Sequence, residues 1–276
     1  MRNLWRADFY RFRRDKLFHL LLALMALLGA ALPVIHALDR LKNQVVWTPD
    51  DSCLTFVFAV PVLSALLTAL FVGSEYSDGT LRNRLIVGHR RSHIYLANAA
   101  VCGAASVMLS AAYIVPHTIL GLLLLGGFET AWSSLLIYTG LSLTAGLAFT
   151  ACFVLIAMLC RSKAYTAAAC LLLTFALLFS GIHIVSALNE PEYYSAYSYT
   201  ENGETVSEDQ TKNPNHLSGV KRDIYAFLYD SDPGGQVIQL ANMKAEHSAR
   251  LALYDGLILM LTVGCGMLVF RRKDLK

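Results

Sequence analysis

The sequence predicts an all-α membrane protein with about six transmembrane helices. It also predicts an amphipathic N-terminal interfacial helix, a short cytoplasmic helix after the second span, and an outer loop with short helices between the last two spans. Three observations predict this. Apolar residues come in blocks near 17–38, 54–72, 96–125, 132–159, 164–188 and 251–270, and about 20 such residues cross a bilayer as a helix. Only 16% of the 276 residues are charged, against about a quarter in soluble domains. Finally, 16 of the 23 basic residues fall on one side of the alternating spans.

Residues 2–16 are basic and aromatic. As a helix they place Trp5, Phe9 and Phe12 on one side, with Arg2, Arg6 and Arg13 largely opposite. That pattern suits a helix in the inner headgroup layer; the plainer alternative is a basic flank that only sets orientation. The first span lacks a small-x-small cleavage site followed by a polar domain, so it is expected to be retained rather than removed as a signal peptide.

The second span ends at Asp78 and Gly79. A short helix can start with Thr80 near its N-cap, with Leu81, Leu85 and Ile86 as its apolar face and Arg82 and Arg84 pointing elsewhere; Gly88 stops it. Such a helix suits docking to a cytoplasmic partner, or is a solvated turn whose arginines set topology. The turn Arg161-Ser162-Lys163 is so short that the fourth and fifth spans must be antiparallel neighbours.

The outer loop, 189–250, opens on a tyrosine-rich stretch suited to the membrane–water interface. Val220, Ile224, Phe227 and Leu228 have helical spacing. Asp232 to Gln236, DPGGQ, reads as a tight turn, followed by a second short helix through Val237, Leu240 and Met243. No repeat or low-complexity tract divides the chain, so 1–276 reads as one transmembrane domain.

Lys and Arg are retained on the cytoplasmic side, which places both termini inside. The basic residues serve topology and headgroups, and no nucleic-acid partner is expected. The six cysteines lie in or beside spans and read as small apolar fillers; no spacing suggests a metal site. No GxxxxGK[ST] sequence is present, so no nucleotide site of that kind is expected in this chain. Ser180 and His183 lie one helical turn apart, but catalysis would also need an oxyanion site, and the expectation is a non-catalytic subunit. Asp255, His117 and His183 lie close enough to outer span ends to reach the surface. The sequence alone leaves open whether they or the kink-prone Pro61 and Pro116 are functional.

Glu75, the run Gly79-Thr80-Leu81-Arg82, then Leu85, Gly88, Arg91, Ile94 and Tyr95 resemble the cytoplasmic loop of permeases of the type-2 ABC exporter family, bacterial members included. The basic amphipathic start, the span count, the large last loop and the basic tail Phe270 to Lys276 extend the resemblance over nearly the whole chain. Arg222 to Gln236 is similar to bacterial members tied to peptide export and antibiotic resistance. The resemblance implies a permease in the bacterial plasma membrane, paired with a second copy or a related permease. It also implies two copies of a cytoplasmic ABC ATPase that bind the ATP and Mg, leaving no cofactor on this chain.

It further implies that 80–88 is a coupling helix. Leu81 and Leu85 would seat in the ATPase and Arg82 and Arg84 would meet its acidic rim. Glu75 would pair with an arginine of the same loop, for example Arg82 or Arg91, and Arg161 and Lys163 would form a second contact. Cargo, expected to be a peptide, lipid or other amphipathic compound, would pass between two copies along the second and fifth spans. Ser64, Thr68, Thr174 and Ser180 are the polar candidates there, although such hydroxyls equally bond their own helix. The alternatives are an ATP-independent carrier or channel, a membrane enzyme, and a sensor or scaffold.

Overall fold

The structure is a computed structural model and describes residues 2–160, 162–194, 197–201, 204–208 and 210–273. In chain order the helices are α1 (Arg2–Arg13), α2 (Lys16–Asn43), α3 (Asp50–Cys53), α4 (Phe56–Ser77), α5 (Thr80–Ile86), α6 (Arg91–Leu124), α7 (Trp132–Leu159) and α8 (Lys163–Leu188). A two-stranded hairpin, β1 (Tyr197–Glu201) and β2 (Glu204–Glu208), precedes α9 (Val220–Ser231), α10 (Pro233–Ala241) and α11 (Ser248–Arg272). Among the described residues, six helical stretches are long and apolar enough to cross a membrane: α2, α3–α4 taken together, α6, α7, α8 and α11. The protein is an all-α membrane protein in which the hairpin is a small addition to the last loop.

Several helices outrun their apolar blocks. α2 continues to Asn43 and α6 begins at Arg91. Helix propagation ends where a cap or a left-handed residue ends it, not where hydropathy falls. α2 starts where the Asp15 carboxylate accepts the Leu17 N–H at 2.8 Å, and it stops at Gln44, which has φ 57°. α8 starts on Ser162, whose hydroxyl faces the Tyr165 N–H.

α4 and α7 form the centre. About 72% of the most apolar stretch of α3–α4 and 67% of that of α7 is buried, against 28% or less for the other spans. α4 packs on α7 and α8, α2 lies along α6, and α11 covers α7 and α6. Inside a bilayer such contacts hold by close packing rather than by water exclusion.

The helices alternate in direction, so the bundle has two ends. The basic end carries α1, α5, the α7–α8 turn and the end of α11. The loop end carries α3, the hairpin, α9 and α10.

At the loop end the structure departs from expectation. DPGGQ is not a turn: Asp232 is the N-cap of α10, accepting the Gly235 N–H at 3.3 Å, and Pro233 is its first residue. From Pro233 to Leu240 every residue of α10 is buried, wedged against α8, α7 and α4. The β1–β2 pair is antiparallel, with Tyr197 opposite Glu208 and Glu201 opposite Glu204. The sequence between the strands is Asn202-Gly203, a dipeptide favoured in two-residue hairpin turns.

Candidate functional site

A polar hub sits at the basic end around Glu75, whose side chain is fully buried. Its Oε1 accepts Arg11 Nη1 of α1 at 2.9 Å and lies 3.0 Å from Arg84 Nη2 of α5. Its Oε2 accepts Asn98 Nδ2 of α6 at 2.9 Å. Arg84 forms a two-pronged pair with buried Asp8 of α1. Arg11 also donates to the Phe71 carbonyl at 2.7 Å and to Ser74 Oγ at 3.3 Å, and it lies over the Phe71 ring at 4.0 Å. Burial pushes the Asp8 carboxyl above the ordinary carboxylate range, and the adjacent Arg84 pulls the other way. One carboxylate thus joins four helices, and two arginines balance two acids.

Glu75 does meet an arginine of its own loop, but that residue is Arg84, joined by Arg11 of α1, and not Arg82 or Arg91. Arg82 is exposed. Arg91 turns to the end of α11, where it donates to the backbone carbonyls of Phe270, Arg271 and Lys273. The Phe270 carbonyl also accepts the Lys273 N–H at 3.4 Å, and the guanidinium adds a charged donor at this helix end.

The expected docking face of α5 is also corrected. Leu81 is 2% exposed and Leu85 packs on the core, so both hold α5 to the bundle. Arg84 is spent within the hub. The residues turned outward are Ile86 and Val87, at 73% and 78% exposure, with Arg82 and Arg90. Thr80 is not the cap: Gly79, at φ 68°, holds that position, and the Thr80 hydroxyl donates to the Glu75 carbonyl at 3.1 Å.

Gly88 does end α5. At φ 94° it donates its N–H to Leu85 O, while the His89 N–H reaches Arg84 O, the paired closure of a helix stop. Gly88→Val should cost about 1–2 kcal/mol through left-handed strain, read as a lower unfolding midpoint in detergent. An unchanged midpoint would show that the turn tolerates another conformation.

Lys163 begins α8 with its backbone close against Gly73 of α4. Arg161 lies outside the described residues. Lys273 donates to Tyr76 Oη, Met158 O and Leu159 O, each at 2.9 Å, so the end of α11 is tied to α4 and α7.

In α1 the inward face is Leu4, Asp8 and Phe12. Phe12 is buried, with its ring 4.0 Å from that of Phe18, whereas Trp5 and Phe9 are exposed. Phe12 is therefore a core residue rather than a lipid-facing one. Trp5 closes one end of an apolar crevice of about 420 Å³ between α6, α7 and α11.

The four candidate path-lining residues do not line an open path within this chain. Ser64, Thr68 and Thr174 are buried. Ser64 donates to Pro61 O and Thr174 to Cys170 O. Ser180 bonds Leu177 O at 2.7 Å and Asp232 Oδ2 at 2.6 Å, which anchors the cap of α10. His183 lies near the Tyr225 ring instead of Ser180's hydroxyl. A serine and a histidine meet elsewhere: Ser52 Oγ and His117 Nε2 are 2.9 Å apart at the loop end. No spacing in the sequence joins those two, which are 65 residues apart.

A polar cavity of about 740 Å³ opens at the loop end between α8, α9, α10 and the start of α11. Arg222, Asp230, Lys244 and Arg250 line it beside Phe227 and Tyr254.

A six-span helical frame carrying a short, braced helix at its basic end defines a multi-pass membrane protein. The family model described as ABC-2 family transporter protein matches residues 4–181, and the chain belongs to that family. The match includes α1, the hub and α5. Comparison with curated proteins finds no match. The chain is accordingly the membrane-spanning part of an ABC-type transporter, a family that implies an ABC ATPase partner.

Proposed function

We propose that the chain is the permease of an ATP-driven exporter and that α5 transmits force from a separate cytoplasmic ATPase. The observation that carries the reading is the pairing of an exposed apolar tip with a buried brace. Ile86 and Val87 project from a helix whose other face is fixed by Leu81, Leu85 and Arg84 to α1, α4 and α6. A push on the tip would therefore reach three helices at once. In this reading the basic end is cytoplasmic, both termini are inside, the membrane is the bacterial plasma membrane, and ATP and Mg sit on the ATPase.

Two permeases, identical or related, would work with two ATPases. The exposed face of α8, with Leu172, Phe175 and Phe179, suits a second copy or lipid. The apolar spans favour a peptide, lipid or other amphipathic cargo.

The test is Ile86→Asp with Val87→Asp in the chain co-expressed with its ATPase. Because both side chains are solvent-facing, the unfolding midpoint should stay within the small range usual for surface changes. Co-purification of the ATPase and cargo-stimulated ATP hydrolysis should both be lost. Retention of both would end the coupling role of α5. Cargo movement that persists with no ATPase present would favour the ATP-independent carrier.

A further inference from the structure

The transport reading makes no use of the apolar crevice that Trp5 closes. Its walls belong to α6, α7 and α11. On α6 the lining residues Ala99, Ala100, Gly103 and Ala104 are small and share one face at helical spacing, so missing side chains make the hollow. Its floor is closed, since a Cβ on Gly103 would meet Leu147 Cδ2 of α7 at 3.1 Å. The Thr150 hydroxyl also lines it, but is spent on the Gly146 carbonyl of its own helix at 2.8 Å. The slot therefore suits an apolar occupant.

Length and position say which one. The lining runs along α6 from Leu96 to Val107, a rise of about 16 Å. That is about half of a hydrocarbon core about 30 Å thick. Leu96 lies close to the basic-end start of α6, and Val107 lies at the middle of that helix. On α11 the lining reaches Leu259, again the middle of its helix. The crevice thus extends from the headgroup region of the basic end to the bilayer midplane, the depth of one leaflet. A hydrocarbon chain of that leaflet can lie along its whole length.

The mouth offers donors and a positive charge. Trp5 closes it and carries an indole N–H, and Arg6, the next residue of α1, is exposed. One turn before Leu96, at positions that continue the same face of α6, stand Ser92 and His93, both half-buried. Among the described residues none of these four side chains has a hydrogen-bond or ion-pair partner. The acid of α1, Asp8, is taken by Arg84 inside the hub. Unspent donors beside an interfacial tryptophan, at the head of an apolar slot, match a phosphate joined to an acyl chain.

We propose that the crevice seats one acyl chain of an anionic phospholipid from the basic-end leaflet, with its phosphate met at the mouth by Arg6, Trp5, Ser92 and His93. The seated lipid ties α1 to α6 and α11. α1 is already held to α4 and α5 through Arg11 and Asp8, so lipid and hub grip the same helix. This site needs only the membrane frame and does not depend on α5 meeting an ATPase.

The test is quenching of Trp5 fluorescence by lipids brominated near the headgroup end of their chains. The full chain carrying Trp47→Phe and Trp132→Phe is reconstituted in phosphatidylcholine vesicles, with brominated phosphatidylglycerol or brominated phosphatidylcholine as a minor component. Phosphatidylglycerol should quench Trp5 at a several-fold lower fraction than phosphatidylcholine. Arg6→Gln should remove most of that preference, since one basic residue is worth about fivefold in affinity for an anionic lipid surface. Arg272→Gln, on the opposite side of α11 from Val263, should leave it in place. Ala104→Leu fills the crevice without changing any charge and should abolish it; Ala100→Leu replaces that variant should it not fold. Equal quenching by the two lipids would overturn the proposal. A preference that survives the filling variant would do so as well, because it would come from diffuse attraction to the basic end. If neither lipid quenches Trp5, protein covers the crevice and the lipid site is excluded.

Discussion

Gly234→Ala is expected to destabilise the protein by about 3 kcal/mol or more, the upper end for forcing atoms into a packed site. A Cβ at Gly234 would stand 1.7 Å from the Leu177 carbonyl oxygen and 2.3 Å from its carbon. Both atoms belong to the backbone of α8, so no side-chain rotation relieves the clash. The contact is tight from the other side as well, since a Cβ on Gly181 would meet the Gly234 carbonyl carbon at 2.5 Å. The expected result is a lower unfolding midpoint and new protease cleavage in α9 and α10. Gly256→Ala is the control, because a Cβ there meets nothing within 4 Å. If the two variants melt together, α10 is not seated as described.

Glu75→Ala should be the most damaging change at the basic end. Removing one member of a buried charge pair costs about 3–5 kcal/mol because the partner is left uncompensated. Here the lower figure, about 3 kcal/mol, applies, because Arg84 keeps Asp8 and the Arg11 side chain is about a third exposed. Glu75→Gln keeps the shape and an acceptor for Asn98, so it should fall between alanine and the wild type. The order of unfolding midpoints, wild type above Gln above Ala, checks this. A Glu75→Ala protein with an unchanged midpoint and an unchanged ATPase interaction would remove the hub from both the fold and the coupling scheme.

The six spans were legible because hydropathy over 20 residues is a direct consequence of bilayer thickness. The hub was legible only in part. Glu75 stood out as a charge at the edge of a span, but its partner Arg11 lies 64 residues away, and no local spacing encodes such a pairing. α5 was placed correctly in the chain and turned the wrong way. At about 100° per residue, Ile86 stands about 140° from Leu81, so the two could not share a narrow face; that angle marks Ile86 as the outward residue.

The loop end held two local signals that hydropathy obscured. Asp232-Pro233 is a cap followed by a proline at the first helical position, but the two glycines behind it suggested a turn. Asn202-Gly203 between alternating polar and β-branched residues is a hairpin pattern that a tyrosine-rich composition masked. The buried hydroxyls of Ser64 and Thr174 were ambiguous by nature. Self-bonding along a helix and lining a path require the same residue in the same place, and only packing distinguishes them.

The Lys273 clamp has a consequence for how the chain is made. Its three bonds close α4, α7 and α11 together, yet Lys273 is separated from Tyr76 by 197 positions. The ribosome delivers the lysine after α2, α4, α6, α7 and α8 have been made. Until then the Leu159 carbonyl lacks the lysine, whereas Tyr76 already reaches the Met158 carbonyl and the Glu75 hub already joins α1, α4, α5 and α6. The tie between α11 and this face therefore comes late, and a nascent chain halted before it would present α5 on a hub already braced but not yet joined to the end of α11.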